Sequence, residues 1–222
     1  MSRLPLSQTI ETLAARCGPP SPLPVSAVLD LILWENVAYL ADDDRRAKAF
    51  RLLQQKVGTE PEQILAASDD ALLEVARHGI VPEQTVQKLR KIAQVALTAF
   101  PDGLDSILEL PYKQAVRALK RFPSLGVPGA ERILMLTGAQ PILALESNSL
   151  RVLQRLGYAG ETGRFDINYR EAQSHAQPEL PPQSHDLINA YLLLRRHGQT
   201  ICRRTTPLCG VCPLQPNCPS AS

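Results

Sequence analysis

Four cysteines near the end of the chain, Cys202, Cys209, Cys212 and Cys218, constrain the fold more than any other stretch. They stand in ICRRTTPLCGVCPLQPNCP with the spacing C-x6-C-x2-C-x5-C. A segment this short and this rich in turn residues has too few apolar side chains to bury a core of its own, so cross-linking through its thiols must hold it. Four thiols can close on one metal centre or pair as two disulfides, and the compartment decides between the two. The N-terminal MSRLPLSQTIETLAARCGPP has no uninterrupted apolar stretch of the secretory kind. No apolar run approaches the roughly 18 residues of a membrane span. These features point to the cytoplasm, without a membrane partner, where thiols stay reduced and a cysteine cluster binds metal. Spacing alone leaves a zinc ion on four thiolates and an iron–sulfur cluster both open. Cys17 lies too far away to join the set and reads as a small half-buried hydrophobe.

The rest of the chain reads as helix. Apolar residues recur at helical spacing over Leu6–Arg16, Val25–Leu40, Asp42–Val57, Pro61–Ala66, Ser68–Arg77, Pro82–Phe100 and Tyr112–Arg121, with a shorter stretch at Leu104–Leu108. Ser68 with Asp69 and Asp70 forms a helix start signal. Further helices are expected over Gly129–Leu136, from about Ser147 to Leu156, near Tyr169–His175, and over Ser184–His197, which Gly198 is expected to stop. No period-2 strand pattern occurs, so the fold class is all-α. The run Gly18-Pro19-Pro20-Ser21-Pro22-Leu23-Pro24 reads as a crossing between subdomains.

The formal net charge of +2 conceals an asymmetry. Residues 1–110 carry 11 basic and 15 acidic side chains, whereas residues 111–222 carry 13 and 7. A basic second half suits a polyanion. Within it, residues 122–138, FPSLGVPGAERILMLTG, read as a tight turn at Ser124-Leu125-Gly126 followed by a helix with Pro128 in its first turn. With the helix before it, this makes a helix–turn–helix hairpin of about residues 112–137. Amides at such a turn face outward and bind phosphate, and Lys113, Arg117, Lys120, Arg121 and Arg132 surround it. Beyond Pro141, PILALESNSLRVLQRLGYAG places Glu146 at the head of a helix, where a carboxylate also serves as a cap.

Taken together, the hairpin FPSLG, the acidic residue in PILALESNSLRV and the 6-2-5 cysteine loop resemble the endonuclease III / MutY family of base-excision DNA glycosylases, in the helix-hairpin-helix superfamily. The resemblance runs from about Pro24 to Cys218. It implies a two-lobed helix-hairpin-helix glycosylase fold. One lobe is a six-helix barrel over residues 25–140; the other joins residues 1–24 to 141–222 and holds a [4Fe-4S] cluster on Cys202, Cys209, Cys212 and Cys218. It implies a monomeric, nucleoid-associated DNA-repair protein acting on double-stranded DNA with a damaged, mismatched or abasic site. In the family an Asp heads the helix after the hairpin and stabilises the oxocarbenium-like transition state; the matching residue here is Glu146, one methylene longer. Bifunctional members carry a Schiff-base Lys in the hairpin's second helix, and the matching residue here is Pro128, which has no amine to offer. The expected activity is therefore monofunctional base excision with strand cleavage absent or weak. The alternative is an inactive relative that binds damaged or abasic DNA. Side chains that fill the gap left by a flipped base match Asn36 and Ile80. Trp34 is read as core, and Tyr39 as a candidate stacking platform. Leu125 and Gly126 in the hairpin, Arg151 and Arg155 after Glu146, and Arg203 and Arg204 in the cysteine loop are the expected DNA contacts.

Overall fold

The computed structural model describes residues 3–38 and 41–221. They form eleven α-helices and no strand among the described residues. The helices are α1 (Leu6–Cys17), α2 (Val28–Asn36), α3 (Asp43–Lys56), α4 (Pro61–Ala66), α5 (Asp69–Ala76), α6 (Pro82–Ala99), α7 (Tyr112–Leu119), α8 (Val127–Leu136), α9 (Ser147–Arg155), α10 (Phe165–Ala176) and α11 (Ser184–Thr200). The chain divides into two compact units: Leu23–Thr137, and the segment up to Pro22 together with Gly138 onward. No helix is long and apolar enough to cross a membrane.

In the Leu23–Thr137 unit, α2 and α6 form the centre. Leu31, Ile32, Leu33 and Trp34 are all buried, so α2 is enclosed around most of its girth. Trp34 packs edge-on against Phe50 of α3, with ring centroids 5.8 Å apart. One face of α6 (Val86, Leu89, Ala93, Ala96) is buried against α2, α4 and α5. Arg90 of α6 reaches Leu65 O and Ala67 O at 3.0 and 2.9 Å and so ties down the end of α4. The hairpin α7–α8 joins α2 through Arg132, whose Nε donates to Glu35 Oε1 at 3.0 Å in a two-point ion pair.

In the other unit, α9 and α11 make the closest helix pair, with α1 against α11 and α10 against α9. Glu179 fastens the N-terminal segment: it accepts from Arg3 Nη2 (2.6 Å), Leu6 N (2.7 Å) and Tyr158 Oη (2.6 Å). Arg196 Nη2 of α11 donates to Cys17 O and Gly18 O at 2.8 Å, holding the end of α1.

Four elements depart from the sequence reading. The expected Val25–Leu40 helix starts only at Val28 and ends at Asn36. Val25 is buried from an extended lead-in, so its apolarity reflects the core and not helical periodicity. Leu104–Leu108 is a 3₁₀ turn at Asp105–Glu109. The short helix near Tyr169–His175 extends over Phe165–Ala176. Gly198 does not stop the last helix, which runs on to Thr200. A Cβ on Gly198 would lie 2.7 Å from Asn148 O, so this glycine is there to let α11 approach α9.

Candidate functional site

The cysteine-bearing unit carries two of the expected features, Glu146 and the thiols. Glu146 is the N-cap of α9 in a closed capping box: its Oε1 accepts from Ser149 N at 2.8 Å, and Ser149 Oγ accepts from Glu146 N at 2.8 Å. Its second oxygen, Oε2, accepts from Asn148 Nδ2 at 2.9 Å and from Ser147 Oγ at 3.3 Å. The carboxylate is thus folded back over the first turn of α9.

A polar chain then leads from Glu146 to the cysteine loop. Asn148 Oδ1 accepts from Arg151 Nη2 at 2.8 Å, and Arg151 Nε donates to Cys202 O at 3.0 Å. Arg151 Nη2 also reaches Gly198 O at 2.7 Å. One turn on, Arg155 Nη1 lies 3.2 Å from Cys202 Sγ and 2.8 Å from Arg203 O, while its Nη2 reaches Arg204 O at 3.1 Å. Arg151 and Arg155, expected as phosphate contacts, direct their guanidiniums at the carbonyls that shape the loop. In this structure they anchor it. Arg203 and Arg204 are exposed, with Arg203 Nε bonded to Thr200 O at 2.9 Å.

All four thiols, Cys202, Cys209, Cys212 and Cys218, are free and line one cavity walled by Val152, Leu156, Ile201 and Leu214. Burial raises the Cys212 pKa, and the three other thiols push it the same way. His197 of α11 is buried beneath the loop, with Nε2 3.6 Å from Cys212 Sγ. Burial lowers its pKa to about 4, and its Nδ1 has no hydrogen-bond partner among the described residues. Four thiol donors around one apolar cavity fit the Cys₄ ligation of a [4Fe-4S] cluster. The same four thiols also meet the donor count of a zinc site.

The Leu23–Thr137 unit carries the hairpin. Ser124 has φ 61, a left-handed conformation that favours glycine. Gly126 is exposed and extended, and no side chain caps α8, so the first amides of that helix remain open. Pro128 occupies the first turn of α8, as expected, and removes one of those amides. Leu125, expected to contact DNA, is only 6% exposed; its Cδ2 lies 3.0 Å from the position a Cβ would take on Gly129. It packs the turn onto α8, so at this position the backbone, not the Leu125 side chain, faces outward. Tyr112 Oη donates to Glu131, a buried acid of α8, closing the hairpin from within.

Asn36, expected as a plug, is 3% exposed, and its Nδ2 donates to Ile32 O at 3.0 Å within its own helix. It cannot fill a vacated base position from there, because its short side chain is turned into the core. Ile80, expected as a wedge, is 57% exposed two residues before α6. Trp34 is buried in the core. Tyr39 lies outside the described residues. Asn148, His197 and Gly198 were not singled out as functional residues from the sequence. The signal available for Asn148 was its i,i+3 spacing to Arg151 on a helix headed by Glu146.

Comparison with known proteins adds to this geometry. No family model matches the chain. Endonuclease III of Sulfolobus acidocaldarius is 22% identical over 194 residues, 87% of this chain and 80% of that protein. A trapped endonuclease III–DNA covalent intermediate superposes with a TM-score of 0.75 at 17% identity, covering 98% of this chain and 97% of the other. A thermostable thymine-DNA glycosylase superposes with a TM-score of 0.75 at 14% identity, covering 97% and 96%.

Proposed function

We propose that this chain, which has the endonuclease III fold and resembles endonuclease III along most of its length, is a monofunctional base-excision DNA glycosylase. The observation that carries the reading is Glu146, held at the head of α9 and linked through Asn148 and Arg151 to the loop of four cysteines. Breaking an N-glycosidic bond places positive charge on the sugar, and a fixed carboxylate stabilises that charge and orients water. Glu146 Oε1 and Oε2 are fixed by Ser149 N and Asn148 Nδ2, so the carboxylate needs little reorganisation as charge develops. Pro128 offers no amine at the position that the resemblance assigns to the Schiff-base lysine, so no covalent enzyme–sugar step is available there. Hydrolysis by water is the route that remains, and the abasic strand is left intact.

Cys202, Cys209, Cys212 and Cys218 hold a [4Fe-4S] cluster in this reading, which supplies the covalent centre on which the loop folds. The open amides at Gly126 and the exposed Arg203 and Arg204 meet phosphates of duplex DNA, and Ile80 wedges into the space left by a flipped base. A second reading, a protein that binds damaged or abasic DNA without cutting it, is favoured by one observation: both Glu146 oxygens already accept hydrogen bonds from the cap.

Incubation with duplexes carrying oxidised, deaminated, alkylated or mismatched bases separates the two. Strand breaks that appear only after alkali support excision without lyase chemistry. Tight binding to abasic-site analogues with no base released supports the second reading.

A further inference from the structure

We propose that the groove between the head of α9 and the loop leading into α10 receives an unpaired nucleotide of a DNA strand, its base stacked on Phe165 and its phosphate on Arg204. The proposal rests on the DNA-acting reading above and adds a second contact surface, distinct from the hairpin. The groove encloses about 810 Å³, more than one phosphate needs, and Ser147, Asn148, Gln154, Gly163, Phe165 and Arg204 line it.

Phe165 is 45% exposed, unusual for a phenylalanine in a unit whose other large aromatic rings, Tyr158, Tyr169 and Tyr191, are buried. Tyr169, which is 1% exposed, supports its ring at 5.9 Å from the core side. The Arg204 carbonyl is held by Arg155, while its guanidinium has no hydrogen bond or ion pair among the described residues. Arg151, Arg155 and Glu161 line the same groove, and the guanidiniums of Arg151 and Arg155 are engaged by the carbonyls of the cysteine loop, which leaves Arg204 to meet a phosphate. Arg164 adds no net charge nearby because Asp166 pairs with it at 2.8 Å.

The wall of the groove is already fixed. Gln154 Nε2 donates to Gly160 O at 2.8 Å, and Gly160 N donates to Glu171 Oε2 at 3.1 Å. Thr162 donates twice to Asn168 Oδ1, from N at 3.2 Å and from Oγ1 at 2.7 Å. A ligand therefore meets a formed surface and need not order a loop. The side-chain amides of Gln154 and Asn148 are engaged in these and the Glu146 contacts. Recognition is then by stacking and charge, which suits single-stranded nucleic acid without base preference.

Trp34 is the only tryptophan and is buried, so Phe165→Trp gives a reporter in the groove. The full chain is titrated with a blunt duplex and with the same duplex bearing a ten-nucleotide unpaired extension. Saturable quenching by the extended DNA and little by the blunt DNA is expected. Phe165→Ala is expected to weaken binding of the extended DNA about tenfold and of the blunt duplex less than twofold, and Arg204→Ala to weaken both, the extended DNA by about tenfold and the blunt duplex less, with unchanged thermal melting. Binding by both variants within twofold of wild type on the extended DNA overturns the groove proposal and leaves the DNA-acting reading standing. Wild-type protein that binds neither DNA overturns both. Quenching by an acidic peptide but not by DNA also overturns it.

Discussion

Around Cys202 nearly every polar group finds a partner. Arg151 joins Cys202 O to Gly198 O and Asn148, Arg155 joins Cys202 Sγ to the Arg203 and Arg204 carbonyls, and His197 lies against Cys212. The hairpin is the opposite case. Ser124 holds a backbone conformation that favours glycine, Pro128 fills the first turn of α8, and no side chain caps that helix. The cysteine-bearing unit is built as though its loop must be held in one geometry, whereas the hairpin leaves the start of α8 uncapped. In the proposed reading the hairpin serves binding, Glu146 serves hydrolysis, and Pro128 offers no amine.

The largest effect that tests this contrast is loss of a thiol. Cys212→Ser is expected to remove iron and acid-labile sulfide together and to unfold the cysteine-bearing unit, read by metal analysis, visible absorbance and circular dichroism. A variant that keeps its helical signal would show that the loop stands on packing alone. Next, Glu146→Gln is expected to lower single-turnover base release on the best duplex substrate by about 10²- to 10³-fold, with DNA affinity nearly unchanged. Unaltered release would remove Glu146 from the chemistry. Gly198→Ala is expected to cost about 2 kcal/mol in urea unfolding, since its new Cβ meets the Asn148 backbone at 2.7 Å. The smallest effect lies in the hairpin: Ser124→Gly is expected to stabilise the protein by about 1 kcal/mol by relieving the left-handed serine. A loss of stability there would mean that the serine hydroxyl makes a contact worth more than the strain.

Much of this was legible in the residues because it is local. The 6-2-5 cysteine spacing, the FPSLG turn, Pro128 in the first helical turn and Glu146 as an N-cap are each set within a few positions, and the structure has them there. What the sequence hid depends on partners far along the chain. Gly198 looked like a helix stop because glycine commonly ends helices, yet its reason is Asn148, fifty residues earlier. Arg151 and Arg155 looked like a basic stripe because helical spacing shows a shared face but not what that face meets. Their partners lie 47 to 51 residues away. The resemblance assigns Asn36 as a plug by its position in the chain, which does not show where the side chain turns, and it is bonded back onto Ile32.

Borohydride trapping, run on wild type and on Pro128→Lys side by side with a duplex from which the wild type releases a base, tests most directly whether the scaffold is intact and only the nucleophile is missing. Wild type is expected to release base without any trapped adduct, and Pro128→Lys to gain a covalent protein–DNA species. A trapped adduct with the wild-type protein would contradict the assignment of monofunctional hydrolysis.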